Sequence, residues 1–254
     1  MQKRALVRRP GPRLDEGLLT HLDRVLVDLD KARRQWLGYV AALQAEGWEI
    51  YEVDPADDCP DAVFVEDTAV VYGDLAVITR PGAEQRRPET RATEAALADL
   101  GYRIARIEEP GTLDGGDVLK HGGTVWVGLG GRTNESGLDQ LRALLEPLGA
   151  TVVGVPVTKV LHLKSAVTAL PDGTVVGHDP LVDDPSVFPS YLSVPEEPGA
   201  HVVLLDGATV LMATSAPRTR ELFESRGLRV VAVDISEHEK LEGCVTCLSI
   251  RLRG

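Results

Sequence analysis

Cysteine and aromatic residues are both scarce in this sequence. The 254 residues include only 3 cysteines, which is too few for a disulfide framework. Aromatic residues make up 4% of the chain against 43% for all hydrophobic residues, so we expect an aliphatic core. A chain of this length can bury a large core without disulfides or a structural metal. The sequence therefore predicts a single domain over residues 1–254.

Positive charge and long apolar runs are also lacking. Lys and Arg number 27 against 39 Asp and Glu, which gives a formal net charge of -12. Nucleic acids and anionic membrane surfaces attract positive protein surfaces, so neither is an expected partner, whereas a small cationic substrate is. No apolar run approaches the roughly 18 residues of a membrane span, and no leader-like segment opens the chain. These absences predict a soluble, cytoplasmic protein.

A strand–helix–strand order recurs five times along the chain. Glycines that end predicted helices stand at Gly47, Gly101, Gly149 and Gly227. A period of about 45–55 residues is typical of repeated supersecondary units, and five of them would close into a ring or propeller. One open α/β sheet has the same order of elements and is the alternative.

The predicted elements follow from apolar periodicity. Helices are expected over residues 23–45, 88–100, 135–148 and 217–226, and a proline-rich short helical segment at 186–192 marks the fourth unit as irregular. The predicted strands cover residues 4–8, 48–53, 62–71, 75–79, 102–107, 116–120, 124–128, 151–155, 163–170, 174–177, 201–205 and 227–233, and a last strand carries Cys247.

Two of the three cysteines, Cys244 and Cys247, lie three residues apart near the C-terminus. A glycine followed by alternating apolar residues predicts a strand, which would hold one thiol rigidly at the mouth of a site. Such spacing also occurs in zinc sites and redox pairs, but no second pair of zinc ligands accompanies it. In a strand the two side chains would point to different faces, so Cys244 is interpreted as a small buried apolar residue.

Polar residues at matching positions of the repeat could become neighbours in a ring. Asp114 and His162 lie one period apart, and Glu66 and Asp67 lie one period before Asp114. Together with Cys247 they would form a Cys–His–carboxylate site. Each residue also has a purely structural interpretation, because His162 sits between two leucines and Asp114 precedes a Gly-Gly turn.

Acids and arginines elsewhere in the sequence are candidates for binding a charged ligand. Glu66 and Asp67 follow an apolar segment directly, so at least one should turn inward and need a cationic partner. Arg132 precedes a predicted helix start and could bind an anion. Arg86 could do the same or belong to a solvated pair with Arg87.

These segments together resemble the dimethylarginine dimethylaminohydrolases of the guanidino-group-modifying superfamily. The resemblance covers nearly the whole chain. Its most specific motifs are Phe64-Val65-Glu66-Asp67, Ile78-Thr79-Arg80-Pro81-Gly82-Ala83 with Arg86-Arg87, Leu113-Asp114-Gly115-Gly116-Asp117, Gly131-Arg132-Thr133-Asn134, and Thr246-Cys247 with Ser249.

The resemblance implies a five-bladed α/β propeller of pseudo-fivefold ββαβ repeats. It implies that Cys247 is the nucleophile, His162 the general acid and base, and Asp114 the carboxylate that orients the imidazole. It also implies a small cationic amino-acid substrate, no cofactor and no metal, and a homodimer is a possible assembly. The implied substrate contacts are Leu18, Asp61, Glu66, Asp67, Arg86, Arg132 and the main chain of Leu241.

The expected reaction is hydrolysis of free methylated arginine to citrulline through a covalent thiouronium intermediate. The chain is too short for the inserted helical domain of the larger deiminase relatives, which favours this reaction over deimination of free arginine. An arginine deiminase or amidinotransferase, a non-catalytic protein that binds arginine analogues, and a zinc or redox protein remain alternatives. Residues 14–19 could form a lid over the site or an ordinary connecting loop.

Overall fold

The computed structural model describes residues 3–253, whose strands form five small mixed sheets. The strands are β1 (Lys3–Val7), β2 (Glu49–Glu52), β3 (Ala69–Tyr72), β4 (Leu75–Ile78), β5 (Arg103–Arg106), β6 (Val118–His121), β7 (Thr124–Leu129), β8 (Thr151–Pro156), β9 (Val167–Ala169), β10 (Val175–Gly177), β11 (Tyr191–Ser193), β12 (Val203–Leu204), β13 (Thr209–Ala213), β14 (Arg229–Val233) and β15 (Ile250–Arg253). The α-helices are α1 (Leu29–Ala45), α2 (Thr90–Asp99), α3 (Glu135–Leu145), α4 (Leu163–Ala166), α5 (Pro217–Ser225) and α6 (Ser236–Glu239).

All five sheets share one design, in which the middle strand pairs antiparallel on one side and parallel on the other. In the sheet β3-β4-β5, for example, Ala69 faces Ile78 across the antiparallel pair and Leu75 faces Arg103 across the parallel pair. The parallel pairs require long crossovers, and α1, α2, α3 and α5 supply four of them. The alternative of one open sheet is wrong, because the backbone pairing divides these strands into five separate sheets.

The fifth sheet joins the two ends of the chain. Its order is β15-β1-β2, so the C-terminal strand lies antiparallel to the N-terminal strand, with Lys3 facing Arg253. The first unit of the sequence repeat therefore receives its missing strand from the end of the chain. This pairing also brings the cysteine segment before β15 next to the modules that begin the chain.

Helix α1 shows how the sequence sets these elements. One face of the helix is buried. It carries residues at three- and four-residue spacing, namely Ala32, Trp36, Tyr39 and Leu43. The helix packs on β2 and β14, and burying each large side chain contributes roughly 1.5–3 kcal/mol. Gly47 follows the helix with a φ of 78°, a left-handed conformation that glycine adopts without strain.

Several predicted element boundaries were wrong. The first helix begins at Leu29 rather than residue 23, because the Asp28 side chain caps it by accepting the Lys31 N–H. The apolar Val25 and Leu26, which suggested an earlier start, are 52% and 89% exposed. Residues 65–68 form a 3-10 helix and residues 163–166 a short α-helix, where strands were predicted.

The fourth module differs from the others, as its proline-rich sequence predicted. Between β10 and β11 the chain forms 3-10 helices at Asp179–Leu181 and Pro185–Val187. The predicted helical segment extended too far, because residues 191–193 form the strand β11. Within residues 3–253, no helix is long and apolar enough to cross a membrane.

Candidate active site

One cavity is lined by most of the residues proposed for the site. Among the ten proposed site residues, Glu66 and Asp114 are those that do not line it, and Asp114 lies directly behind one that does. Phe64, Leu161, Glu242 and Gly243 complete its wall. The eight proposed residues in the wall are Leu18, Asp61, Asp67, Arg86, Arg132, His162, Leu241 and Cys247.

His162 is held between two carboxylates. Its Nε2 lies 2.9 Å from Asp114 Oδ2, and its Nδ1 lies 3.8 Å from Asp67 Oδ1. Burial alone would lower the pKa of His162, but the charge of Asp67 and the hydrogen bond with Asp114 raise it to about 9. The ring is therefore protonated at neutral pH, and Asp114 fixes its orientation.

Asp114 is itself held by neighbouring loops. Its Oδ1 accepts the Gly82 N–H at 2.9 Å, and its own N–H donates to Thr133 Oγ1 at 3.1 Å. Arg132 Nη1 lies 3.5 Å from Asp114 Oδ2, close enough for an ion pair but too poorly aligned for a hydrogen bond. The carboxylate is fully buried, so its position is set by these contacts.

The two glycines after Asp114 are required by close packing rather than by a turn alone. A Cβ on Gly115 would lie 2.0 Å from the Glu66 carbonyl oxygen. On Gly116 it would lie 2.6 Å from both Asp67 Oδ1 and His162 Nδ1, while the Gly116 N–H donates to Asp67 at 2.8 Å. The Asp-Gly-Gly sequence therefore lets the imidazole and the Asp67 carboxylate lie against the backbone.

Alanine in place of Gly116 should therefore lower kcat/KM on the cavity's substrate by roughly 10²-fold, because it displaces the His162 ring. Gly38→Ala is the matched control, since a Cβ there meets nothing within 4 Å. Steady-state kinetics on both variants would measure the effect. Equal rates for the two variants would show that the ring position is not critical.

The cysteine segment is a turn and not the predicted strand. The Cys247 N–H donates to the Cys244 carbonyl at 3.1 Å, and β15 begins only at Ile250. A three-residue separation in a helical turn places both side chains on one side, and the two sulfurs lie 3.2 Å apart. Cys244 is buried in the hydrophobic core, as predicted, but its side chain is not on a different face from Cys247, because the two sulfurs are in contact.

Arg251 ties this turn together. Its Nη1 donates to the carbonyls of Thr246 and Ser249 at 2.6 and 2.5 Å, and the Ser249 hydroxyl is paired with the Tyr39 hydroxyl at 2.7 Å. Neither Arg251 nor Tyr39 was predicted to belong to the site. Arg251 is two residues beyond the matched motif, and only the fold shows that it closes the turn.

Arg86 lies among carboxylates. Its guanidinium donates to Asp67 at 2.6 Å and to Glu89 at 3.1 and 2.8 Å, and further to the carbonyls of Asp61 and Phe64. Burial opposes its charge, but these acids raise the pKa of Arg86 well above its usual value. Asp67 responds in the opposite direction: burial opposes its ionisation, but His162 and Arg86 lower its pKa to about 2. Most Arg86 donors are thus engaged within the protein.

Asp61 and Arg132 have unsatisfied capacity. Asp61 accepts the Leu18 N–H at 3.1 and 3.2 Å, and burial raises its pKa. Arg132 Nη1 is buried without a hydrogen-bond acceptor. The cavity therefore offers a carboxylate that would gain from a cation and a guanidinium that would gain from an anion.

Glu66 faces away from this cavity. It lines a different cavity, on the other side of the 3-10 helix that carries it. It pairs with Lys164 at 2.6 Å and with Arg251 at 2.5 Å. Its Oε2 is buried without a hydrogen-bond partner. The expectation that at least one of the two adjacent acids turns inward is confirmed, because both are buried, and Asp67 is the one that lines this cavity.

Glu242 is a residue of the cavity wall that the sequence analysis missed. It has a φ of 59°, unusual for a residue other than glycine, and its Oε1 accepts the N–H groups of Thr20, His21 and Leu22. The carboxylate thereby anchors the segment that follows Leu18 onto the cysteine loop. Residues 14–19, where a lid and an ordinary connecting loop were both considered, contain a 3-10 helix at Leu14–Glu16 and the start of an irregular segment that runs from residue 17 to residue 28.

Metal coordination is a further possibility for clustered acids and imidazoles. Among residues 3–253, ligand atoms of Asp67, Asp114 and His162 lie within 4.8 Å of one another, and neither Cys244 nor Cys247 belongs to this group. Nε2 of His162 is already hydrogen-bonded to Asp114, and Asp67 already forms an ion pair with Arg86. These contacts make the group an ionic network rather than an open ligand set.

Known proteins resemble this chain along its whole length, although no protein-family model matches it. The N(G),N(G)-dimethylarginine dimethylaminohydrolase of Streptomyces coelicolor is 66% identical over 251 residues, covering 99% of this chain and 97% of that protein. The enzyme of the same name from Pseudomonas aeruginosa is 36% identical over 99% of this chain and 100% of its own length.

Solved structures of related enzymes are also similar to this chain. A cysteine-to-serine mutant of the Pseudomonas aeruginosa enzyme complexed with citrulline has a TM-score of 0.91 at 36% identity, covering 99% of this chain and 100% of that one. The N-terminal domain of a cyanobacterial arginine dihydrolase has a TM-score of 0.89 at 20% identity, covering 99% and 97% of the two chains, and shares the fold. The protein is thus an enzyme with the amidinotransferase-type α/β fold. More narrowly, the chain belongs to the N(G),N(G)-dimethylarginine dimethylaminohydrolase family.

Proposed function

We propose that the protein hydrolyses free Nω-methylated arginine to citrulline and methylamine or dimethylamine. The observation that carries this proposal is one cavity wall that combines a thiol, an imidazole and carboxylates, namely Cys247, His162, Asp61 and Asp67. The two relatives described above bear the name of this reaction, and one of them was solved with citrulline.

The acidic side of the cavity suits a guanidinium group. Asp61 and Asp67 are both buried, and Asp61 carries a pKa raised by that burial. A planar cation that donates N–H groups to such carboxylates replaces the hydrogen bonds to water that the carboxylates lose on burial, and it balances their negative charge. In the proposal these two residues hold the substrate head group, and Arg132 takes the α-carboxylate of a free amino acid. Arg86, proposed earlier for the same anion, instead positions Asp67.

The proposed chemistry begins when the proton between the two sulfurs moves to Cys244, and the resulting Cys247 thiolate attacks the central guanidinium carbon. His162 then donates its proton to the departing amine as the C–N bond breaks, which leaves a covalent thiouronium. The neutral imidazole next takes a proton from water as the water attacks the same carbon. Collapse breaks the C–S bond, returns the thiol and releases citrulline. Asp114 stabilises the charged form of His162 throughout.

Leu18, Glu66 and Leu241 have supporting roles in this proposal. Leu18 and Leu241 line the cavity and exclude water from the reacting carbon. Glu66 binds Lys164 and Arg251 behind the site and so holds the cysteine turn from below. Its contribution is to position Cys247 rather than to contact the substrate.

We also infer that the five sheets stand as the blades of a propeller and that residues 1–254 form one catalytic domain. The shared strand order of the sheets and the pairing of β15 with β1 support this arrangement. Contributions from separate modules to one cavity support it as well. A cytoplasmic location and a homodimer stay predictions from the sequence.

A panel of substrates tests the proposed function. Asymmetric dimethylarginine and monomethylarginine should yield citrulline, and arginine should react far more slowly. Because Arg132 would bind the α-carboxylate, a methylarginine within a peptide should be turned over at least ~10²-fold less efficiently. Citrulline assays on the four compounds would measure this. Turnover of arginine alone would identify a deiminase, and binding without citrulline would identify a non-catalytic binding protein.

A further inference from the structure

Cys244 and Cys247 have the geometry of a pair that can be oxidised. Their sulfurs lie 3.2 Å apart on one turn, and a disulfide bond needs about 2.05 Å. A closing movement of roughly 1 Å is within reach of small side-chain rotations in a turn. Within residues 3–253 none of the three cysteines forms a disulfide bond, and Cys59 is not part of this contact.

The two thiols open onto different cavities. Cys247 lines the proposed active site, whereas Cys244 lines a separate cavity of about 490 Å³. Polar groups in that second wall include Lys159, His201 and Glu239, and Glu242 and Gly243 belong to both walls. A small polar reagent can therefore reach Cys244 without entering the substrate site.

The electrostatics favour a thiolate at Cys244. The hydrogen bond between the two sulfurs lowers the pKa of Cys244 to about 5, and burial, which opposes this, is offset in part by His201. The same bond raises the pKa of Cys247 well above its usual value. The hydrogen bond thus favours a state in which the two sulfurs share one proton, and the Cys244 sulfur of this pair faces the second cavity.

We propose that Cys244 and Cys247 are a redox modification site, at which a hydroperoxide converts the pair into a reversible disulfide. The Cys244 thiolate attacks the peroxide, so a sulfur–oxygen bond forms, the oxygen–oxygen bond breaks and an alcohol or water leaves. The Cys247 sulfur then attacks the resulting sulfenic acid. A sulfur–sulfur bond forms and hydroxide departs with the Cys247 proton as water.

The disulfide switches the enzyme off, and this consequence rests on the proposed function, in which Cys247 is the nucleophile. A dithiol reverses the change by attacking Cys244 from the second cavity, which releases Cys247 as a thiol and oxidises the reductant. Two thiols are consumed for each hydroperoxide reduced. The state of the pair would thereby couple methylarginine hydrolysis to the supply of peroxide.

Treatment of the whole protein with hydrogen peroxide tests this inference. We expect activity to be lost together with two thiols, a peptide linked through Cys244 and Cys247 to appear by mass spectrometry, and dithiothreitol to restore both. Cys59→Ser should respond as the wild type does. For Cys244→Ser, with activity scaled to its own untreated rate, we expect an inactivation rate of about one tenth of the wild-type value or lower.

A second variant keeps the test informative if Cys244→Ser does not fold. In Cys247→Ser, peroxide should leave a sulfenic acid that dimedone labels at Cys244. Absence of both the label and the linked peptide would overturn the proposal, as would equal inactivation rates for Cys244→Ser and the wild type. A linked peptide with undiminished citrulline formation would support the modification site and overturn Cys247 as the nucleophile.

Discussion

Alanine in place of Cys247 should lower the rate of citrulline formation from asymmetric dimethylarginine, with a loss on the order of 10⁴-fold or more. Cys247 supplies the sulfur in the wall of the cavity that holds His162, Asp61 and Asp67. Without it the guanidinium carbon, whose three nitrogens share the positive charge, would have to be attacked directly by water. A discontinuous citrulline assay with the enzyme in large excess would detect any remaining single turnover.

The matched control is Cys59→Ala, which removes a buried thiol that does not line the cavity. It should keep the wild-type rate, while thermal unfolding shows whether each variant is folded. Cys247→Ser would keep a smaller oxygen nucleophile in the same place. If that serine variant worked within about tenfold of the wild type, the covalent route would be wrong, because an unactivated hydroxyl is a far weaker nucleophile than a thiolate.

The repeat of the fold could be predicted from the sequence because each module ends in a recognisable way. Helix-ending glycines such as Gly47 and Gly227 have φ values of 78° and 84°, so their spacing reports real helix ends. Helix starts were harder to predict. Val25 and Leu26 continue the apolar periodicity of α1, but the Asp28 cap begins the helix later, and the two side chains remain exposed.

Eight of the ten predicted site residues line one cavity, and they could be placed from the sequence because they lie in short motifs that resemble those of a known family. Contacts that cross between modules could not. Glu242 accepts N–H groups of residues 20–22, a separation of more than two hundred residues in the chain, and nothing local marks it. The side of the chain that Cys244 faces also depended on the backbone: a strand would separate the two thiols, whereas the turn brings them together.

His162 has an electrostatic setting that determines its two proposed roles. The nearby charges raise its pKa to about 9 against the effect of burial, so its proton is present below that pH and lost above it. A departing dialkylamine needs a proton before the C–N bond can break, and the protonated ring can supply it. After this transfer the ring is neutral and can accept a proton from the attacking water.

Replacing His162 with alanine should therefore separate the two proton transfers. With asymmetric dimethylarginine we expect almost no dimethylamine, a loss on the order of 10⁴-fold, because its amine leaves only with a proton. S-methyl-L-thiocitrulline, which forms an adduct with a solved dimethylarginine dimethylaminohydrolase variant, has a thiolate leaving group that needs no such proton. The variant should release one equivalent of methanethiol from it and stop, with the adduct visible by intact mass.

The matched control for this experiment is His121→Ala, which removes a histidine of β6 that does not line the cavity. It should turn over both compounds continuously. If His162→Ala released dimethylamine at the wild-type rate, another group would have to protonate the amine. If it turned over S-methyl-L-thiocitrulline many times, His162 would not be the base that activates water, and the acid role alone would remain. The two substrates thus decide each role separately in one protein.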